Sequence, residues 1–105
     1  MKIFEIPQMH RIYQQVDGAL RTAFAEVPEK FHSNFQYTYF RISIDTCNLE
    51  LALEILEELT VGLDTDFSRK FWENMEIAAR GLLMHDEEEY YRDRLHSGIS
   101  PVIGG

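Results

Sequence analysis

Phe35-Gln36-Tyr37-Thr38-Tyr39-Phe40-Arg41-Ile42-Ser43-Ile44-Asp45 is the stretch on which the reading of this chain turns. It contains no Gly or Pro and is dense in aromatic and β-branched residues, a composition that predicts a strand. With a period of two, one face carries Thr38, Phe40, Ile42 and Ile44 and belongs against helices. The other carries Phe35, Tyr37, Tyr39, Arg41 and Ser43, a half-polar face suited to solvent or to a contact.

On the N-terminal side, Met1–Ile6 reads as a short strand, and Pro7 suits the first position of a helix, where its missing N–H is not needed. Met9, Ile12, Tyr13, Val16, Leu20, Ala23 and Val27 recur at three- and four-residue steps and place a helix from Pro7 to about Val27. Pro28 disfavours helical geometry at Val27 and marks its end. Phe31 to Asn34 reads as a loop.

Beyond the presumed strand, Asp45, Thr46 and Asn48 are all competent helix caps. Leu49, Leu53, Leu56, Leu59 and Leu63 form the stripe of a helix over Leu49–Val61, with Glu50, Glu54, Glu57 and Glu58 opposite and Gly62 suited to the left-handed residue after its end. Asp64 or Thr65 would cap the next helix, whose stripe is Phe67, Phe71, Met75, Ala78 and Leu82, widened by Trp72, Ala79 and Leu83. Asp86 with Glu89 three residues on resembles a capping box, opening a last helix that stops at Gly98.

The expected order is β-α-β-α-α-α. This is an α+β fold in which a two- or three-stranded sheet packs on three to four helices, as a single domain over residues 1–98 with a loose tail over 99–105. Two strands alone are marginal, so a third would come from the loop near Phe31, from the tail or from a partner chain.

At 105 residues and 45% hydrophobic content, the chain is long enough for one self-sufficient core. The single cysteine, Cys47, cannot form an internal disulfide, which fits a reducing cytoplasm. The N-terminal segment lacks the pattern of a signal peptide, and no apolar run approaches the ~20 residues that span a bilayer.

Charge is unevenly placed. Residues 45–93 hold fourteen acidic and four basic residues, net −10, against −8 for the whole chain. Such a field argues against direct binding of nucleic acid or anionic lipid and favours a basic protein partner.

Candidate chemistry is sparse. His85, Glu89, Asp93 and His96 fall along one side of a single helix, but ligands spread over three turns cannot all reach one ion, and no metal or other cofactor is expected. Cys47 at a helix start would have a depressed pKa but needs a base, for which His10 and His32 are the available histidines. No Gly-rich phosphate loop, Gly-x-Ser-x-Gly elbow or Cys-x-x-Cys occurs.

The reading is therefore a binding protein rather than an enzyme. It would be a small acidic inhibitor of immunity, antitoxin or anti-defence type that occludes a basic, for example nucleic-acid-processing, protein. The expected contact residues are Asp86, Glu87, Glu88, Glu89, Tyr90 and Tyr91, with Tyr37, Tyr39 and Arg41 on the second strand, because aromatics and Arg anchor interfaces while carboxylates steer cationic partners. The alternatives are a module that dimerises or joins an assembly through a sheet edge or helix face, and a small enzyme of unrecognised type.

Overall fold

A computed structural model describes residues 7–28, 35–62 and 67–99, and among these every regular element is a helix. They are α1 (Pro7–Phe24), α2 (Phe35–Asp45), α3 (Leu49–Gly62), α4 (Arg69–Gly81) and α5 (His85–Ile99). The expected α+β fold is thereby overturned, since Phe35–Asp45 is not a strand but helix α2. The strand expected at Met1–Ile6, the loop at Phe31–Asn34 and a third strand in the tail lie outside the described residues.

The reason for α2 is backbone satisfaction. A strand here would need a neighbour to pair with, and among the described residues there is none, whereas a helix closes its own N–H and C=O groups. The helical cost of aromatic and β-branched residues, at most about 0.7 kcal/mol each, is small against burial. Phe40, Ser43 and Ile44 are buried at the three- and four-residue spacing of a helix. Ser43 turns its hydroxyl back to the Tyr39 carbonyl at 2.9 Å, which satisfies this buried polar side chain.

The helices pack as two antiparallel hairpins, α2–α3 and α4–α5, joined through α1, which lies along α4. Antiparallel order follows from cross-links at both ends. Gln36 near the start of α2 donates to Glu58 near the end of α3 at 3.0 Å. Glu26, just past α1, accepts from the Ser68 N–H at 3.2 Å and from its hydroxyl, while Gly81 at the far end of α4 lies against Ile12 and Val16 of α1.

The core combines Val16, Leu20, Ala23 and Val27 with Phe40 and Ile44, Leu49, Leu53, Leu56 and Leu59, and Phe71, Met75 and Ala78. Phe24 stacks on Phe40 at 4.0 Å between ring centroids and tilts against Tyr37 at 4.5 Å, fastening α2 to α1.

Caps differ from expectation. Ser68 caps α4 by accepting the Phe71 N–H at 3.1 Å. Asp64 and Thr65 lie outside the described residues. Helix α5 begins at His85, with the Met84 carbonyl accepting the Glu88 N–H at 2.9 Å, so Asp86 falls inside the helix.

Both tight corners close by the same device. At the end of α2, Cys47 N–H donates to Ile44 O and Asn48 N–H to Ser43 O. At the end of α4, Leu83 N–H donates to Arg80 O and Met84 N–H to Ala79 O. These are paired Schellman bonds, and they put Cys47 (φ 59°) and Leu83 (φ 60°) in the left-handed region that glycine usually fills.

Candidate interaction surfaces

Three features of the surface stand out once the core is removed from view. The first is the α4–α5 seam, which takes Glu88 out of the expected acidic patch. Arg80 bonds Glu76 and Glu88, each at 3.0 Å, and Arg92 bonds Glu76 at 3.0 Å and Glu88 at 2.7 Å. Two guanidinium groups and two carboxylates thus alternate around a closed ring, with each carboxylate largely covered. The Arg80 hydrogen bond, with both cations nearby, holds the Glu88 carboxyl below its usual value against the opposing effect of desolvation. The hydrogen bond to Glu76 raises Arg92 further.

Tyr91 is wholly buried. Its phenol donates a 2.6 Å hydrogen bond to Glu57 of α3, and its ring lies 6.0 Å from that of Trp72. Burial first, then the bond to Glu57, pushes its pKa far above the usual range. Of the α5 residues expected at a contact, Asp86, Glu89 and Tyr90 are exposed, Glu87 is half-buried, and Glu88 and Tyr91 are committed to internal partners. Asp93 joins the exposed set at helical spacing from Asp86 and Glu89.

The second feature is the outer face of α2. Phe35, Tyr39 and Ile42 are 71%, 54% and 52% exposed, and they recur at i, i+4 and i+7, the spacing of one helix stripe. The Phe35 and Tyr39 rings stand 6.0 Å apart, so the stripe is continuous at that end. Tyr37 is half-buried against Phe24, on a different side of the helix from Tyr39, and Arg41 is exposed. A strand would have put Tyr37, Tyr39 and Arg41 on one face; the helix keeps Tyr37 and Arg41 on one side, four residues apart, and turns Tyr39 to the other. Ile42 was expected against helices, and Phe35 was placed on the half-polar face without being counted among the contact residues, although the spacing of both with Tyr39 was present in the sequence.

The third is a groove where both Schellman corners meet the first half of α1. Two clefts of about 570 and 630 Å³ share Tyr13, Glu50 and Leu82 in their walls, one reaching Cys47 and the other Leu83. His10 and Cys47 line the same cleft, with no hydrogen bond between them, so His10 is not placed as a base on the exposed thiol, and His32 lies outside the described residues. Among the described residues no three His, Cys, Asp or Glu side chains converge as metal ligands would. His85, Glu89, Asp93 and His96 are spread along α5. No described helix is long and apolar enough to cross a membrane.

No protein family, curated protein or solved structure matches this chain.

Proposed function

We propose that this protein binds a basic protein partner and acts by covering that partner's cationic surface. The observation that carries this reading is the set of acids left over once internal partners are assigned. Glu50, Glu54 and Glu58 of α3 and Asp86, Glu89 and Asp93 of α5 are exposed, and none has a cation within ion-pair distance among the described residues. Gln36 meets Glu58, but as a neutral donor.

An amphipathic helix needs a polar outer face, but not one of a single sign. Unpaired like charges self-repel, and a cationic partner relieves that repulsion while being steered in by it. A protein that handles nucleic acid must present positive charge to phosphate, so an acidic cover competes with its substrate. Occlusion of that kind is what an immunity- or antitoxin-type inhibitor would perform.

The test is affinity capture from the native host, followed by association kinetics with the purified partner. We expect a basic partner, and an association rate that falls with ionic strength. Neutralising Glu54, Glu58, Asp86, Glu89 and Asp93 with the matching amides should slow association with little change in dissociation. A captured partner without excess positive charge, or a rate indifferent to salt, would sink the reading.

A further inference from the structure

We propose that the Phe35–Tyr39–Ile42 stripe of α2 is the docking face for the apolar side of a basic amphipathic helix, with Glu54 and Glu58 of α3 as its charged margin. This deepens the basic-partner reading and rests on it.

The stripe is unusual because α2 is already packed on its other side. Phe40 and Ile44 are buried and Ser43 is bonded back to Tyr39, so the helix has spent its inner face on the core. An outer face that also carries two aromatic rings and an isoleucine serves no internal packing. The three side chains leave on the order of 300 Å² of apolar surface in water, the size at which a contiguous patch marks an interaction site.

The spacing decides the shape of the occupant. Side chains at i, i+4 and i+7 rise about 10 Å along two turns and form one ridge, which a second helix can straddle with its own grooves. Helix-in-groove recognition uses this spacing of anchors.

The charges decide its composition. Gln36 holds Glu58 beside the start of α2, and Glu54 is the next exposed acid one turn back along the antiparallel α3. Both are exposed and, among the described residues, without a cationic partner. Lysine or arginine flanking the partner's apolar face would meet them there. Arg41, the one cation of α2, lies roughly 140° around the helix from Gln36 at 3.6 residues per turn, away from this margin. A second copy of the chain is disfavoured because each copy carries −8.

The experiment titrates the protein with three synthetic helical peptides of the same length, built from leucine with lysine, with glutamine or with glutamate. Binding is read by calorimetry and by backbone amide shifts. We expect the leucine–lysine peptide alone to bind, with shifts centred on α2 and the facing side of α3. A Phe35→Ala, Tyr39→Ala, Ile42→Ala variant should weaken it at least tenfold. All three positions are exposed and alanine favours helix, so the fold survives, as circular dichroism would verify. Glu54→Gln with Glu58→Gln should weaken binding and flatten its salt dependence.

If the leucine–lysine peptide binds but the α2 variant binds it equally well, this inference falls while the basic-partner reading stands. If the leucine–glutamine peptide binds as tightly, both fall. Light scattering gives the remaining outcome, since a dimeric mass that the α2 variant reduces to a monomer would overturn the proposal in favour of a second copy.

Discussion

The Tyr91 hydroxyl reaches across thirty-four residues to Glu57 and bonds it at 2.6 Å, tying α5 to α3 by one short charge-assisted contact. The two helices otherwise share few neighbours, since α5 packs chiefly on α4 and α3 chiefly on α2. This bond therefore ties one hairpin to the other.

Tyr91 makes stability sensitive to alkali. Its pKa is raised on folding from an ordinary value of 10.0, so its contribution is fully present below pH 10 and is lost as pH rises beyond it. Above that point the unfolded chain ionises and the folded one does not, and stability should fall by about 1.4 kcal/mol per pH unit from this group. Tyr91→Phe should cost about 1–2 kcal/mol at neutral pH and remove that alkaline slope. Denaturant unfolding from pH 7 to 11 measures both, and an unchanged slope in the variant would refute the assignment.

Acid acts on the ring between α4 and α5. Glu88 has its carboxyl held below the ordinary 4.5, mainly by Arg80, so its contribution is present above that value and is lost as pH falls through the lowered one. Glu88→Gln leaves Arg80 and Arg92 with one shared carboxylate in place of two. The variant should be less stable than the parent at pH 7, and the gap should narrow as pH falls below the ordinary carboxyl value of 4.5 and through the lowered one. Thermal melts at a series of pH values would show whether the two curves converge.

What was legible in the sequence tracks how cleanly each helix separates its faces. In α3 and α4 the apolar residues fall on one side and the charges on the other, and Leu53, Leu56, Leu59, Phe71, Met75 and Ala78 are buried where periodicity puts them. In α2 the outer face is apolar too, so Phe35, Tyr39 and Ile42 interleave with the inward Tyr37, Phe40 and Ile44, and the three-to-four pattern disappears into a run that looks like a strand. The stripe that concealed the helix is the one proposed above as a docking face. The acidic patch was half legible. Capping and charge drew the eye to Asp86–Glu89, but only packing reveals that Glu88 and Tyr91 face inward.

The left-handed corners predict a gain. Leu83 is 73% exposed and Cys47 is exposed, so neither position is held by burial, yet each L side chain there strains against its own backbone. Leu83→Gly should raise stability by roughly 1 kcal/mol, and Cys47→Gly by a similar amount. Chemical denaturation of each single variant is sufficient. A loss in either would mean that the side chain is packed in a way its exposure does not show.

Gly81 and Gly18 should respond in opposite directions to the same substitution. A Cβ on Gly81 would stand 2.5 Å from the Val16 Cγ2 methyl and 3.4 Å from that of Ile12, where α4 packs on α1. Val16 is buried and β-branched, so its methyl cannot swing aside without displacing the helix. Gly81→Ala should therefore cost about 1–3 kcal/mol by overpacking. Gly18 is exposed inside α1 with nothing within 4 Å of a built Cβ, and Gly18→Ala should stabilise by roughly 0.5–1 kcal/mol through reduced unfolded-state entropy. The sharper check is Val16→Ala combined with Gly81→Ala. Removing the two Val16 methyls clears the space that the Gly81→Ala methyl enters and should recover part of the loss, so the double variant should be less destabilised than the two single costs added together. Simple additivity would show that α1 and α4 do not meet at these two residues.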